Sequence, residues 1–405
     1  MLQLLHMLDK WTEYLEGGGQ IDALYTDFEK AFDKVPHKRL ISKLKTYGIS
    51  NILINWIDNF LCSRKHRVRV NSSFSNWGDV TSGIPQGSVL GPLLFLLYIN
   101  DLPEVCVGGA DIYLFADDAK LCKYIANATD CVDLQSSADL LQQWSDRWLL
   151  KLNIKKCKII SFGRNTDTSH NYYLNSGKGT CQLVRETNIT DLGVVIDSKL
   201  TFSEHIHTKI RKAFGMVGLL KRNFRHVPIS SFVLLFKSMV RSHLEYCNSV
   251  WAPYKKSDIE DMEKVQRRAT KNVPALCKLS YEDRLKKCGL TTLKYRRIRG
   301  DMIETYKIVS GKYDPSVAPV FKFSTFTKTR GNVYKIETAR THYDLRKYYF
   351  TNRVVSIWNS LPDDIVKACS TNLFKNKLDK FWSNQEVIYN YKAELTGIGS
   401  RSEVS

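Results

Sequence analysis

The first 60 residues change from a helical to a strand-like hydrophobic period and back again. Apolar side chains with helical spacing predict a first helix that ends at the three glycines beginning with Gly17. Those apolar positions are Leu4, Leu5, Leu8, Trp11 and Leu15. Residues 21–28 (IDALYTDF) alternate well enough to predict a strand, and residues 38–60 predict helix with a break at Gly48.

The pattern continues with strands and helices in alternation as far as about residue 205. It predicts a half-exposed strand over 66–70, a buried helix over 89–100, two short strands around a tight turn over 111–123, an amphipathic helix over 131–150 and a strand over 158–162. Such alternation indicates a layered α/β domain. Helical spacing dominates from 202 to 311, and residues 311–345 are the best candidate for a linker or irregular segment.

Composition adds a division by charge. The chain has 405 residues, 43% of them hydrophobic and 25% charged, which is typical of a folded globular protein. The net charge is +19, but residues 1–150 carry −4 and residues 151–350 carry +22. This split favours a cation site joined to a surface that binds a polyanion, and a generally basic protein is the alternative.

Membrane, secretory and zinc-binding classes find no support in the sequence. The longest apolar run, 89–99, is shorter than the roughly 20 residues that a spanning helix needs. No secretory signal pattern is present, which predicts an intracellular protein. The ten cysteines form no C-x2-C or C-x4-C pair, so we expect free thiols rather than a zinc or redox motif.

Three aspartates are the candidate chemistry of the first 150 residues. Asp27 ends the first predicted strand, and Asp117 and Asp118 occupy the predicted turn of LFADDAK, 90 residues later. Adjacent carboxylates repel each other, and a divalent cation between them and Asp27 would remove that cost. Oxygen ligands of this kind suit Mg²⁺. The alternative is a solvated hairpin turn without function.

Three ordered blocks surround these aspartates: YTDFEKAFDKVPH, SGIPQGSVLGPLLFLLYINDLP and LFADD. Together they resemble the palm motifs of reverse transcriptases, specifically those of non-LTR, jockey-like retrotransposons. The resemblance continues through LNIKKCKIISFG and NITDLGVVIDSKLTFSEHI, and on to RVVSIWNSLPDDIV and NLFKNKLDKFW, so that it covers nearly the whole chain.

The resemblance implies an α+β fold and an enzyme. The fold would be a reverse-transcriptase right hand, with partial fingers and a palm with an antiparallel sheet in residues 1–205, a basic helical thumb in 206–310 and a C-terminal region in 311–405. The activity would be RNA-directed DNA synthesis, with an RNA template, a DNA primer and dNTP as partners and no membrane. Two Mg²⁺ ions, or Mn²⁺, would serve as cofactors, and the nucleus would be the location. A nucleic-acid-binding relic without catalysis stays open as the alternative.

Individual site residues follow from the same resemblance. Asp27, Asp117 and Asp118 match the catalytic metal-binding triad, and Phe28 would add its backbone carbonyl. Phe32 matches the aromatic residue that excludes a ribose 2′-OH. Gln86 and Gly87, in GIPQGS, match the residues beside the incoming nucleotide, and Lys156 matches the residue that protonates the departing pyrophosphate. LGVVID at 192–197 resembles the hairpin that grips the primer.

Basic side chains supply the candidate nucleic-acid surface. One set lies on a predicted strand and the other on predicted helices: Arg64, Lys65, Arg67 and Arg69, then Lys209, Arg211, Lys212, Arg267 and Arg268. Lys221, Arg222, Arg225, Lys271, Arg296, Arg297 and Arg299 add to the second set. Nearby aromatics would stack on bases or else pack in the core, namely Tyr246, Trp251, Tyr254, Tyr295 and Tyr306.

The position of Asp27 near the start of the chain departs from the family pattern. In the family, finger segments that hold the triphosphate, and usually a nuclease domain, precede this aspartate. Only 26 residues precede it here, so we expect an N-terminally truncated copy of the element.

Overall fold

The computed structural model describes residues 1–105, 109–177, 179–224, 226–324 and 332–397. Contacts divide the chain into two compact units, Gly18–Asn188 and Met1–Gly17 with Ile189–Ser405. Helix α1 (Leu2–Glu16) therefore clusters with the C-terminal part of the chain, and it ends at Gly17 as predicted. The functional divisions at residues 205 and 310 stay predictions.

A five-stranded sheet is the centre of the Gly18–Asn188 unit. The strands of this unit are β1 (Gln20–Thr26), β2 (Lys65–His66), β3 (Arg69–Val70), β4 (Ser73–Phe74), β5 (Gly78–Asp79), β6 (Asp111–Phe115), β7 (Asp118–Ile125), β8 (Lys158–Phe162), β9 (Tyr173–Ser176), β10 (Gly179–Gln182) and β11 (Val184–Arg185). The order in the sheet is β11-β8-β1-β7-β6, and only the short β11–β8 pair is parallel. The fold is thus α+β with a mainly antiparallel sheet, as the resemblance implies, and not the layered α/β domain that the alternation of elements indicates.

Helices cover the sheet and fill the core of this unit. They are α2 (Ala31–Lys34), α3 (His37–Thr46), α4 (Asn51–Leu61), α5 (Leu90–Ile99), α6 (Leu102–Val105) and α7 (Ala128–Trp148). Leu24, Leu121 and Ile159 of the sheet belong to one buried cluster with Phe95 and Leu141 of the helices. Because strand side chains alternate between faces, one face of the central strands supplies this core.

Two segments differ from their predicted burial. The helix predicted over 89–100 is present as α5, but Leu93 and Leu96 are exposed because its all-apolar sequence gives it more hydrophobic surface than the core covers. The strand predicted over 66–70 is interrupted at Arg67 and Val68, and its residues are exposed on both faces. Alternation gives the strand period, but it does not show whether another layer covers the apolar face.

The second unit is mainly helical after one hairpin. Its elements are β12 (Asn188–Asp191), β13 (Val194–Asp197), α8 (Ser203–Asn223), α9 (Ile229–Leu235), a π-helix (Phe236–Arg241), α10 (Ser242–Glu245), α11 (Asn248–Trp251), α12 (Lys256–Lys271), α13 (Tyr281–Cys288), α14 (Leu293–Val309), α15 (Asp344–Lys347), α16 (Phe350–Arg353), α17 (Val355–Ser360), α18 (Asp363–Val366) and α19 (Thr371–Phe381), with short 3-10 turns at Pro274–Leu276 and Glu386–Ile388. Between α14 and α15 the described residues form no helix or strand, in agreement with the irregular segment predicted there.

The sequence predicts free cysteines and no membrane-spanning helix. The nine cysteines within them are all free thiols, as expected, whereas Cys106 lies outside. In the described part of the chain, no helix is long and apolar enough to cross a membrane.

Candidate active site

The register of the central sheet brings Asp27 and Asp118 to neighbouring strand ends. β1 and β7 are antiparallel and pair Thr26 with Ala119, so the residue after Thr26 lies beside the residue before Ala119. The Thr26 hydroxyl donates to the Ala119 carbonyl at 2.9 Å and fixes this end of the pair. Two aspartates separated by 90 residues therefore meet at one edge of the sheet.

Asp117 is held by the tight turn between β6 and β7. Phe115 pairs with Asp118, which leaves Ala116 and Asp117 as the two residues of the turn. Ala116 has a φ of 54°, a left-handed conformation that costs an alanine free energy. Strained backbone of this kind is concentrated at functional sites, and here it sets the direction of the two adjacent carboxylates. The tight turn predicted around LFADD is confirmed.

Residues after β1 pair with the LNIKK segment. The Asp27 carbonyl accepts from the Asn153 amide at 2.7 Å, Phe28 bridges Leu152, and the Glu29 amide donates to the Lys151 carbonyl. This pairing places the Lys156 ammonium 3.3 Å from an Asp27 carboxylate oxygen. Lys156 is 67% exposed and Asp27 34%, so both side chains are open to a ligand.

Buried groups frame this edge without entering the chemistry. Phe28 is buried, with its ring centroid 6.2 Å from that of Trp144. Burial raises the pKa of the Cys157 thiol to about 11, so Cys157 stays protonated near neutral pH. Asp27, Asp117, Asp118 and Lys156 stay the predicted reactive groups at this end of the sheet.

Phe32 and Gln86 come together through main-chain pairing. The Gly83 amide donates to the Val35 carbonyl and the Ile84 amide donates to the Phe32 carbonyl at 2.7 Å. Gly83 has a φ of 90°, and a Cβ there would lie 2.6 Å from the Asp33 carbonyl oxygen, so only glycine permits this approach. The Phe32 ring stacks on Phe95 with centroids 4.5 Å apart.

Asp33 is a site residue that sequence reasoning missed. Its carboxylate accepts from the Gln86 side-chain amide at 2.8 Å, and its carbonyl accepts from the Ser82 hydroxyl at 2.9 Å. Asp33 thus orients Gln86 by taking the amide nitrogen and leaving the amide oxygen to face outward. The available signal was a carboxylate next to Phe32 in the same motif. Gly87, with a φ of 82°, follows in open space.

The donor set fits a hard cation whose remaining ligands come from substrate. Within the described residues, no three His, Cys, Asp or Glu side chains form a ready-made metal cage. Mg²⁺ commonly takes one or two protein carboxylates and completes its shell with water and substrate phosphates. Asp27, Asp117 and Asp118 offer only oxygen ligands, which is the chemistry that Mg²⁺ prefers.

The predicted basic residues lie on both units, apart from Arg225, which is outside the described residues. Arg64, Lys65, Arg67 and Arg69 belong to the short strands β2 and β3 and the residues beside them. Lys212, Arg267 and Arg268 are exposed on α8 and α12. Arg211 pairs with Glu204 at 2.9 Å.

The hairpin of β12 and β13 has its turn fixed from two sides. Lys209 donates to the Gly193 carbonyl, and the Tyr246 hydroxyl donates to the Leu192 carbonyl at 2.9 Å. Partial burial lowers the pKa of Lys209. LGVVID therefore forms a supported hairpin, and its role as a primer grip stays a prediction.

Several other candidates in the second unit have structural roles. Arg296 pairs with Glu245, Arg299 pairs with Asp379, and Arg297 is buried. Trp251, Tyr295 and Tyr306 are also buried, so of the two predicted alternatives these rings pack in the core. Tyr246 and Tyr254 are exposed.

Comparison with known proteins gives one family, two relatives and one solved structure to which the chain is similar. Residues 16–196 match the family described as reverse transcriptase (RNA-dependent DNA polymerase). The chain is 28% identical over 285 residues to the RNA-directed DNA polymerase from mobile element jockey of Drosophila melanogaster, across 67% of this chain and 30% of that protein. It is also 28% identical over 258 residues to the probable RNA-directed DNA polymerase from transposon X-element of the same fly, across 62% and 28%.

Among solved structures, a telomerase from Candida albicans in complex with a TWJ fragment of telomeric RNA matches 70% of this chain and 52% of its own, with 9% identity and a TM-score of 0.35. The matched part of this chain spans less than a third of the length of the two fly proteins.

Proposed function

We propose that the chain is the palm-containing part of an RNA-directed DNA polymerase of a non-LTR retrotransposon, because its residues 16–196 match the reverse transcriptase family. The reaction extends a DNA primer 3′-OH with dNTP on an RNA template. The observation that carries the proposal is the β1–β7 register, which sets Asp27 beside Asp118 with Asp117 in the adjoining turn. The jockey and X-element relatives support the class of mobile element.

Divalent cations are the cofactors that reverse transcriptases use, and we assign their ligands here to Asp27, Asp117, Asp118 and the Phe28 carbonyl. Two Mg²⁺ ions, or Mn²⁺, would supply activation of the primer hydroxyl and stabilisation of the leaving pyrophosphate. The protein contributes three carboxylates held by paired strand ends and a turn. Their fixed positions matter because phosphoryl transfer depends mainly on alignment and charge stabilisation.

Lys156 supplies the mobile proton and positive charge beside the carboxylates. Its ammonium is exposed and reaches an Asp27 oxygen at 3.3 Å, so it stays at the site without being locked by burial. A cation there would stabilise the charge that develops on pyrophosphate and donate a proton from Nζ to it.

Phe32 and Gln86 act on the incoming nucleotide. The Phe32 ring is fixed by its stack on Phe95, so it cannot retreat from an extra ribose oxygen. Gln86 offers its amide oxygen because Asp33 engages the nitrogen. Phe32 and Gln86 lie on two segments that main-chain hydrogen bonds hold together. Together these side chains would select a deoxyribonucleotide.

The exposed basic side chains of α8 and α12 would bind the template–primer backbone. Lys212, Arg267 and Arg268 present charge to solvent, and phosphate contacts of this kind do not depend on base sequence. Synthesis into chromosomal DNA would place the protein in the nucleus.

Primer extension tests the proposal. With Mg²⁺, a DNA primer on an RNA template and dNTP, we expect extension that Asp117→Asn reduces at least about 100-fold, the scale seen when one preorganised charge-stabilising group is removed. Asp111→Asn, an exposed aspartate at the other end of the same hairpin, is the matched control and should keep wild-type activity. Equal incorporation by wild type and Asp117→Asn, or none by either, would contradict the proposal for this chain.

A further inference from the structure

Residues 64–80 form a narrow two-stage hairpin, here called the arm. β2 pairs with β5 near its base, and β3 pairs with β4 near its tip. The Val80 amide closes the base by donating to the Arg64 carbonyl at 2.8 Å, and Asn71, with a φ of 53°, turns the chain at the tip. The Val68 amide donates to the Ser75 hydroxyl between the two stages.

One face of the arm carries an arginine between two aromatic rings. The Arg67 guanidinium carbon lies 3.9 Å from the ring centroid of Phe74 and 4.6 Å from that of Trp77. Arg69, directly opposite Phe74 in the register, lies 5.4 Å from the same ring. Stacking of this kind holds the rings in place before any ligand arrives.

These rings remain open to solvent. Phe74 is 50% exposed and Trp77 is 60% exposed, although large aromatic side chains are normally buried. Within the described residues, no carboxylate lies within ion-pair distance of Arg67 or Arg69, and the one acidic residue of the arm, Asp79, faces Lys65 at 3.7 Å. The arm carries a net charge of +3. Its exposed face is therefore both aromatic and cationic.

The base of the arm leads directly into the nucleotide-binding loop. β5 ends at Asp79, and residues 82–84 already pair with the main chain from Phe32 to Val35. Nine residues separate Trp77 from Gln86, so their Cα atoms lie at most about 32 Å apart. The arm thus stands at the side of the site where Phe32 and Gln86 lie.

We propose that the Arg67–Phe74–Trp77 face binds the unpaired RNA template strand ahead of the active site. An unpaired strand offers both chemistries that this face would recognise, namely bases to stack on rings and phosphates to meet arginines. A duplex hides its base faces and would meet only the arginines. The choice of RNA rests on the proposed function, whereas the preference for an unpaired strand rests on the arm alone.

Binding measurements test this without requiring catalysis. The full chain is titrated with a fluorescent RNA–DNA duplex that carries a 5′ RNA template overhang and, separately, with the same duplex blunt-ended. For Phe74→Ala/Trp77→Ala we expect affinity for the overhang substrate to fall about tenfold, the scale of losing one or two base stacks, and affinity for the blunt duplex to change less than about twofold. Phe74→Tyr/Trp77→Phe should restore the overhang affinity.

Matched variants of the same arm separate stacking from charge and from folding. Val70→Thr, on the opposite face, should bind as wild type does, because the exposed Val70 lies away from the rings. Arg67→Ala/Arg69→Ala should flatten the salt dependence on the overhang substrate by about 1.4 in slope, the value for two phosphate contacts on a single strand.

Two results would overturn the inference: unchanged overhang affinity in the double aromatic variant, or an equal loss on both substrates. The first would leave an acidic protein as the partner that fits the charge of the arm. Primer extension by the wild type reports on the proposed function separately, so either hypothesis can fail while the other stands.

Discussion

Two aspartates near strand β1, Asp22 within it and Asp27 just after its end, have different surroundings. Asp22 is 1% exposed and accepts from the Gln20 amide, the Ser161 hydroxyl and the Tyr172 hydroxyl, with Arg185 3.6 Å away. Asp27, five residues later, is 34% exposed and has Lys156 at 3.3 Å. The carboxylate of Asp22 is buried and hydrogen-bonded by the protein, whereas that of Asp27, just beyond the other end of the strand, is partly exposed to solvent.

The difference follows from what surrounds each strand end. A carboxylate removed from water must have its lone pairs satisfied by the protein, so donors from β8, β11 and Tyr172 converge on Asp22. Burial, together with the nearby charge of Asp22, raises the pKa of Tyr172 well above its usual value, which keeps that hydroxyl a donor. At the other end of β1 the sheet stops, and Asp27, just beyond it, is partly exposed to solvent. The first end contributes to stability, and the second is the end to which we assign the chemistry.

The largest effect expected is on activity at the open end. Asp27→Asn should lower the rate of primer extension about 1,000-fold, because it removes a carboxylate needed to hold the divalent cation, worth several kcal/mol. Its effect on the free energy of unfolding should stay below about 1 kcal/mol, since only an exposed ion pair is lost. Single-turnover extension and urea unfolding check the two halves. If Asp27→Asn lowered the free energy of unfolding by as many kcal/mol as it raised the activation free energy, the contrast with Asp22 would be lost.

The converse effect is expected at the buried end. Asp22→Asn should lower the free energy of unfolding by about 3–5 kcal/mol, because an amide cannot accept from all the donors aimed at this carboxylate. Activity per folded molecule should remain within a few-fold of wild type. Thermal unfolding monitored by circular dichroism measures the first, and extension normalised to the folded fraction measures the second. An Asp22→Asn variant with the same free energy of unfolding as wild type would show that the hydrogen bonds to Asp22 do not stabilise this part of the sheet.

A buried lysine extends the comparison to pH. Lys43 is 4% exposed, pairs with Asp101 and lies over the rings of Tyr98, Trp144 and Trp148. Burial outweighs the ion pair and lowers the pKa of Lys43 to about 8, below its ordinary value of 10.5. The unfolded chain therefore binds more protons than the folded chain between these values, and stability contributed by this group rises as pH rises from about 8.

The Lys43→Met variant isolates that contribution. The difference in free energy of unfolding between wild type and variant should grow by about 2–3 kcal/mol in favour of wild type from pH 8 to pH 10.5. Urea titrations at half-unit pH intervals measure it. Lys156→Met, at the exposed cation of the open end, is the matched control and should show no comparable slope. If the difference in free energy of unfolding between wild type and Lys43→Met did not change with pH, burial would not lower the pKa of Lys43.

The smallest effect is expected at Asp33. Asp33→Ala frees the Gln86 amide to rotate, and an exposed hydrogen bond of this kind is worth about 1 kcal/mol, or several-fold in KM for dNTP with kcat little changed. Asp33→Asn keeps an acceptor for the Gln86 nitrogen and should stay close to wild type. Steady-state kinetics of single-nucleotide incorporation distinguish the two. Equal KM values in all three proteins would remove Asp33 from the site.

Local elements of the fold could be predicted from sequence where the pattern was strong. β8 has the predicted bounds, and α1, β1, α7 and the β6–β7 hairpin lie within a few residues of theirs. Periodicity did not identify the antiparallel order of the sheet or the clustering of α1 with the C-terminal region, because both depend on contacts between distant parts of the chain. The exposure of the arm was missed for the same reason.

For the site, residue types indicated a cation-binding chemistry and the resemblance identified the partners. Nothing in the local pattern places Asp27 beside Asp118; their proximity results from the β1–β7 register. The position of Lys156 next to Asp27 likewise depends on the pairing of residues 27–29 with residues 151–153. Asp33 and the ring pair Phe74 and Trp77 escaped because an exposed carboxylate or aromatic has no distinctive sequence signal until its neighbours are known.

Divalent-cation binding shows whether Asp27, and not Asp22, is a metal ligand. Mn²⁺ can be titrated into the wild type, Asp27→Asn and Asp22→Asn in the presence of dNTP, with free Mn²⁺ followed by electron paramagnetic resonance at a temperature where all three are folded. We expect tight binding by wild type and Asp22→Asn and at least a tenfold weaker affinity for Asp27→Asn, the loss expected from one missing carboxylate ligand. Equal Mn²⁺ affinity in wild type and Asp27→Asn would contradict it.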